Sequence, residues 1–129
     1  MKYIPYYEPK GLYHQFIGDL TGQELIKIAE KIHISETFSR LEYVISDYLE
    51  ITSIEMTEDE AEHLAGIDAI STKYANPKLC VAVVATDQIL LQLAEIYSKT
   101  AAELRPAYDT KTFSSVEDAR AWLKSKELL

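Results

Sequence analysis

The sequence contains little cysteine, glycine or proline, and each shortage excludes a class of protein. The single cysteine, Cys80, excludes an internal disulfide and a zinc site built from several thiolates, and it is typical of a reducing compartment. With four glycines in 129 residues, the chain has no glycine-rich loop of the kind that cradles phosphates. No segment approaches the roughly 20 apolar residues that a membrane helix needs, and the N-terminus lacks the long apolar run of a signal peptide. We therefore expect a protein of a reducing compartment with no cofactor, no metal and no transmembrane segment.

Positive charge is scarce as well. The chain carries 13 Lys and Arg residues against 21 Asp and Glu residues, which gives a formal net charge of -8. Nucleic-acid binding depends on neutralising phosphates with Lys and Arg, so this composition argues against nucleic acid as a partner, and against an anionic membrane surface for the same reason. A protein partner with a basic or neutral surface stays open, although net charge of this size also serves solubility alone.

The chain does contain enough apolar sequence for a single domain over residues 1–129. Hydrophobic residues make up 47% of it and charged residues 26%, which is typical of a folded protein. Its most apolar stretch is residues 79–85, where seven apolar residues follow one another and three of them are β-branched. Such a run predicts a strand covered on both faces, as in a parallel sheet between layers of helices. We place this strand at the centre of the sheet.

Extended and helical patterns alternate along the rest of the chain. The first two strands are joined by a short turn and form an antiparallel hairpin, and Pro5 confines the first of them to a sheet edge. A helix separates each later pair of strands, so those strands are parallel neighbours. The predicted order is β-β-α-β-α-β-α-β-α, an α/β fold with a mostly parallel central sheet, an antiparallel N-terminal edge strand and helices packed on it. Besides the central strand, the predicted strands are residues 2–7, 12–17, 42–49 and 107–113.

Capping residues predict where the helices begin. Thr21 and Thr57 are each followed three residues later by Glu, which is a capping box, and Asp87 caps a third helix. Apolar residues at helical spacing predict the faces that pack on the sheet, including Ile70 on the second helix and Leu104 on the third.

Four segments, in this order, carry a resemblance to a known family. They are residues 18–25 after the hairpin, residues 43–47 as a strand that ends in Asp, residues 78–85 before a long helix, and residues 112–123 at the close. Together they resemble the SpoIIAA-like proteins of the STAS/SEC14 group, relatives of bacterial anti-sigma factor antagonists, over about residues 5–125. The resemblance implies a STAS-type fold and a cytoplasmic protein that works by docking, or by holding a small ligand, rather than by catalysis.

The same resemblance points to a region of phosphorylation. In the antagonists proper, a serine at the start of the helix after the third strand is phosphorylated, in an Asp-Ser-Ser-Gly context. Residues 51–57 correspond to that region but lack the tetrad, which leaves Thr52, Ser53 and Thr57 as the candidate phosphoacceptors. Thr57 is also explained as an N-cap, and the acidic residues 55–62 would repel a phosphate. A kinase-driven switch is therefore not favoured.

Polar residues at the carboxyl ends of the predicted strands form the candidate binding site, because ligands of open parallel sheets bind there. Carboxylates and hydroxyls already cap the helices at this edge, so a polar or cationic group of a partner fits better than a nucleotide. Every member also has a simpler explanation as a cap or turn residue. The partner- or ligand-binding candidates are Asp19, Thr21, Asp47, Tyr48, Thr52, Ser53, Thr86 and Asp87.

Other polar residues carry weaker signals. Asp59 and His63 share a helix face but are too few to hold a metal, and we interpret them as a solvated pair. His14 and His33 have no evident partners in the sequence. Asp19 and Asp47 could meet at adjacent strand ends and raise one pKa, which is the main basis for an uncharacterised hydrolase.

Aromatic residues crowd the N-terminal hairpin. Tyr3, Tyr6, Tyr7 and Tyr13 either mark an interface or pack the hairpin over the end of a helix.

Two main hypotheses follow. The first is a non-enzymatic regulatory or protein-interaction module that uses the acidic strand-end face or the tyrosine-rich edge. The second is a small carrier that binds an apolar or lipid-like ligand between the sheet and the third helix, where Ile89, Leu91 and Ile96 lie off the core stripe. Those three residues could equally be covered by the last helix or by a second subunit, so a homodimer stays open.

Overall fold

The computed structural model describes residues 1–129, in which five strands form one sheet and four helices pack on it. A single turn of 3-10 helix at Phe38–Arg40 precedes the third strand. The strands are β1 (Lys2–Tyr7), β2 (Gly11–Thr21), β3 (Tyr43–Glu55), β4 (Cys80–Val84) and β5 (Asp109–Phe113). The helices are α1 (Gly22–Ile34), α2 (Glu58–Ala75), α3 (Gln88–Leu104) and α4 (Val116–Ser125).

The sheet follows the chain, in the order β1-β2-β3-β4-β5. β1 pairs antiparallel with β2, and every other pair is parallel. The predicted fold class, with its antiparallel edge strand and its element order, is therefore confirmed. The placement of residues 79–85 at the centre is wrong, because β3 is the middle strand and β4 lies beside the edge strand β5. The apolar run is still covered on both faces, but a covered strand need not be the central one.

β2 and β3 are longer than the sequence predicts. They continue to pair past the end of β4, since Asp19 lies opposite Ser53 and Thr21 opposite Glu55, whereas Val84 at the end of β4 lies opposite Asp47. The pairing absorbs two register shifts. Thr52 and Ser53 therefore lie in a strand rather than in the predicted loop, because each strand satisfies the backbone groups of the other.

The two faces of the sheet are covered unequally. Helices α1, α2 and α3 lie side by side over one face, while α4 alone packs on the other, over β3, β4 and β5. The Arg120 guanidinium of α4 donates to the Glu8 carboxylate in the β1–β2 turn, at 2.7 and 3.1 Å. Because α4 covers only β3, β4 and β5, the α4 side of β1 and β2 stays largely open.

The predicted helix starts are confirmed, but two inward-facing residues are not. Thr21 and Thr57 form complete capping boxes, and Asp87 caps α3. Ile70 and Leu104 are exposed. On α2 the buried stripe consists of small residues, which let the helix lie close between α1 and α3 and turn Ile70 outward; these residues are Ala61, Ala65, Ala69 and Thr72.

Candidate functional site

One end of the molecule carries a large excess of acidic residues. It holds the carboxyl ends of β2, β3 and β4 and the N-termini of α1, α2 and α3. No Lys or Arg occurs in residues 11–26, 41–72 or 79–98, the segments that build this end. The positive groups near it are the N-terminal amine and Lys2, because the antiparallel β1 begins there. We call this surface the acidic pole, and its exposed carboxylates are Asp19, Glu50, Glu55, Glu58, Asp59 and Glu62.

Asp19 organises the exposed tip of the β2–β3 ribbon. Its Oδ1 accepts hydrogen bonds from Thr52 Oγ1 at 2.7 Å and Ser53 Oγ at 2.8 Å. Those two bonds lower the pKa of the Asp19 carboxyl, so it is ionised at neutral pH. Both hydroxyls are thereby committed as donors to a carboxylate, on an exposed surface.

The two threonines at helix starts act as caps. The hydroxyls of Thr21 and Thr57 accept from the backbone N–H of Glu24 and Glu60, at 3.2 and 3.1 Å. Gln23 donates to Glu60 at 2.8 Å and so joins the starts of α1 and α2. A backbone hydrogen bond from Thr57, together with the one from Gln23, lowers the pKa of Glu60. A side-chain hydrogen bond therefore links the two helix starts in this negatively charged part of the acidic pole.

Thr86 and Asp87 extend the acidic pole to the start of α3. Asp87 Oδ1 accepts from the backbone N–H of Leu90 at 2.9 Å, while Thr86 is exposed beside it.

Asp47 and Tyr48 lie away from this group. Asp47 is 3% exposed, faces α4, and accepts from the Tyr13 hydroxyl at 2.5 Å and from the Leu49 N–H at 3.0 Å. Asp47 lies six positions along β3 from Ser53, the residue opposite Asp19, which is a distance of about 20 Å along a strand. The prediction that the two carboxylates meet is therefore wrong, and the hydrolase interpretation loses its acid–base pair.

A buried polar network on the helix side of the sheet was not predicted. His14 bonds through Nε2 to Ser46 Oγ at 2.6 Å and through Nδ1 to the Tyr3 hydroxyl at 2.8 Å. Burial lowers the pKa of His14 to about 3, so its ring is neutral at physiological pH. The sequence did contain a signal for this network, because side chains alternate between the two faces of a strand. This alternation puts His14 on the same face as Leu12, and Ser46 and Tyr48 on the same face as Val44.

Asp68 on α2 joins a second set of polar residues. Its Oδ1 contacts His33 Nε2 of α1 at 2.7 Å, and its Oδ2 accepts from the Tyr97 hydroxyl of α3 at 2.5 Å. Tyr97 in turn shares a hydrogen bond of 2.8 Å with Tyr108. Burial raises the pKa of both tyrosines, which stay protonated. The Asp68 carboxylate thus links helices α1, α2 and α3, and through Tyr97 it also reaches Tyr108, just before β5. The only sequence signal for a buried Asp68 was its position four residues after Leu64 on the same helix face.

Both polar sets line one cavity between the sheet and α1–α3. It has two adjoining lobes of about 80 Å³ each, smaller than the several hundred Å³ of ordinary ligand pockets. Ile89, proposed above for an apolar lining, is exposed, while Leu91 and Ile96 are half-buried against the core. The cavity is too small for a lipid in this conformation.

The tyrosines of the hairpin divide between core and surface. Tyr3 packs its ring on Phe16, whereas Tyr6 stacks on Tyr13 with ring centroids 5.7 Å apart. Tyr6 and Tyr7 remain 48% and 57% exposed. Tyr3 therefore packs within the sheet, whereas an interface at Tyr6 and Tyr7 stays a prediction.

None of the helices has the length and apolarity needed to cross a membrane. No family model matches the sequence, and neither does any curated protein.

Solved structures do match. One is the anti-sigma factor antagonist SpoIIAA in its unphosphorylated form, with a TM-score of 0.62, 7% sequence identity, and coverage of 95% of this chain and 98% of that one. Another is an uncharacterised DUF3478-family protein with a SpoIIAA-like fold from Shewanella loihica PV-4, with a TM-score of 0.49, 16% identity, and coverage of 95% and 92%. The match to SpoIIAA shows that this chain has the SpoIIAA-like STAS fold, as the resemblance of its sequence implies.

Proposed function

We propose that this chain is a non-enzymatic regulatory module that binds a protein partner through the acidic pole. The single observation that carries the proposal is the excess of carboxylates over positive groups on one end of the molecule. The fold supports it, since SpoIIAA, which shares this architecture, is an anti-sigma factor antagonist. The partner, by charge complementarity, presents a surface rich in Arg and Lys.

The arrangement of the acidic pole suits a docking surface. The β2–β3 ribbon projects beyond β4 and carries Asp19, Thr52 and Ser53 on a paired and therefore rigid backbone. Beside it, Gln23 and Glu60 fix the starts of α1 and α2 relative to each other. A preformed surface loses little conformational freedom on binding. The planar guanidinium of Arg can form two parallel hydrogen bonds with a carboxylate, which suits a partner surface rich in Arg.

Thr52 and Ser53 act in this proposal as contact residues rather than as phosphoacceptors. Each donates to the Asp19 carboxylate, so a phosphate on either oxygen would lie against a fixed negative charge. Thr57 is committed to the cap of α2. The switch that the related antagonists use is therefore not part of the proposed mechanism.

The experiment compares two doubly charge-reversed variants in quantitative co-purification from the source cells. Glu55→Lys with Glu62→Lys alters the acidic pole, while Glu36→Lys with Glu103→Lys makes the same change in net charge at exposed sites near the opposite helix ends. We expect a protein that co-purifies with the wild type and with the second variant, but that is depleted at least about tenfold with the first.

Two results would overturn the proposal. One is that both variants retain the same proteins, which would remove the acidic pole from binding. The other is a complex that depends on Tyr6 and Tyr7 instead, tested with Tyr7→Ser, which would place docking, or a homodimer, on the tyrosine-rich edge.

A further inference from the structure

The cavity between the sheet and helices α1–α3 is lined by apolar side chains together with a few polar ones. Its two lobes share six lining residues, so they adjoin: Leu25, Ser46, Tyr48, Leu64, Asp68 and Val81. The two lobes together are comparable with the roughly 150 Å³ apolar cavity that holds one benzene molecule. The cavity therefore has room for a compact molecule, although not for a lipid chain.

Most polar atoms that face this cavity can accept a hydrogen bond. Asp68 contributes a carboxylate whose partners are His33 and Tyr97, and no Lys or Arg lines either lobe. The nearest guanidinium, that of Arg105, donates to Thr72 at 2.7 Å and to the carbonyl of Pro77 instead. The Asp68 carboxylate thus has no Lys or Arg as a partner.

His33 supplies the second independent observation. It lines the cavity, and its Nδ1 is a buried side-chain nitrogen that has no hydrogen-bond partner. When Nε2–H donates to Asp68, Nδ1 carries a lone pair and can only accept. A buried acceptor without a donor is costly, so this atom favours a ligand that brings a donor.

From these contacts we infer that the cavity is a binding site for a small molecule with an apolar body and one hydrogen-bond-donating head, a hydroxyl or an ammonium. The head lies between Asp68, His33 and Ser46. The body packs on Leu25, Leu64 and Val81, and its size is about 6 to 10 heavy atoms, by comparison with the benzene-sized cavity. Carboxylate-bearing molecules are excluded, because Asp68 repels them.

The test uses four probes of similar shape on the full chain: phenol, benzylamine, benzoate and toluene. Chemical shifts of backbone amides, followed during titration at millimolar concentrations, report where each probe binds. For phenol and benzylamine we expect saturable shifts confined to residues that line the cavity, on α1, α2, α3 and strands β2 to β4. Benzoate produces none, and toluene binds more weakly than phenol because it leaves the acceptors unpaired.

Variants then assign the head group. Asp68→Asn keeps the size of the side chain but removes its charge, and it should weaken benzylamine about tenfold or more and phenol less. Leu64→Trp fills both lobes and should abolish binding of every probe. Asp59→Asn is the matched control on the same helix, since its side chain is exposed and outside the cavity.

If the variants fail to fold, the binding of the four probes to the wild-type protein still tests the inference. The inference is overturned if no probe gives saturable shifts, if the shifts map to the surface, or if benzoate binds as tightly as benzylamine. It is also overturned if Leu64→Trp folds and binds phenol unchanged.

Discussion

At the scale of the residue, burial decides what the polar side chains of this protein can do. His14 is fully enclosed between Tyr3 and Ser46, and this enclosure holds its ring neutral with a pKa of about 3. Asp19, by contrast, sits in water and is held ionised by two hydroxyl donors. The same sheet thus carries a neutral interior and a charged end.

The lowered pKa of His14 predicts how stability depends on pH. In the unfolded chain the imidazole binds a proton below its ordinary pKa of about 6.5, whereas in the folded protein it stays neutral down to about 3. The unfolded state therefore binds more protons between these values, and stability falls as pH decreases. Between pH 6.5 and 5.0 the loss is about 2 kcal/mol.

Urea denaturation at pH 7.0, 6.0 and 5.0 measures this effect. His14→Gln should be less stable at pH 7 but should lose less stability on acidification than the wild type. Glu8 and Glu60, whose pKa values are lowered, contribute at lower pH, and the difference between the two proteins isolates the contribution of His14. Parallel curves for the two proteins would contradict the prediction.

At the scale of the element, the helices were easier to predict than the strands. Capping boxes are local, because Thr21 meets Glu24 and Thr57 meets Glu60 within one turn, and they fixed both helix starts. The ends of β2 and β3 depend on pairing between residues more than 30 positions apart, as with Asp19 and Ser53. The sequence of residues 50–55 alone does not predict that this segment pairs with the end of β2.

Some residues of the candidate site were predicted from the sequence and others were not, again because local patterns are visible in a sequence and long-range contacts are not. Thr52, Ser53 and Asp19 were identified as polar residues near strand ends, and their mutual contacts follow from the β2–β3 register. The Asp68 network was missed, since it joins residues of three helices that no local spacing connects. Buried polar clusters of this kind are visible only once the packing is known.

Two hydroxyls at the acidic pole should respond differently to removal. Thr57→Ala removes the N-cap of α2 and should lower the free energy of unfolding by about 1 kcal/mol. Ser53→Ala removes one of two donors to an exposed carboxylate, and Thr52 remains, so its effect should stay within about 0.5 kcal/mol. Chemical denaturation of the three proteins distinguishes a cap from a surface contact. Equal losses would show that Ser53 is structural.

At the scale of the whole molecule, charge is distributed along one axis. Residues 11–26, 41–72 and 79–98 carry no Lys or Arg, and all three run through the acidic pole. A net charge of -8 spread evenly would serve solubility, whereas carboxylates gathered at one end create a directed field. This asymmetry, on a SpoIIAA-like fold, is the physical basis of the proposed docking function.

The association rate constant with the co-purified partner, measured by stopped flow as salt is raised from about 50 to 300 mM, tests this claim most directly. We predict that the rate falls about tenfold or more, that Glu55→Lys with Glu62→Lys lowers it at low salt, and that Glu36→Lys with Glu103→Lys leaves it nearly unchanged. A rate that is insensitive to salt, or equally reduced by both variants, would contradict the account.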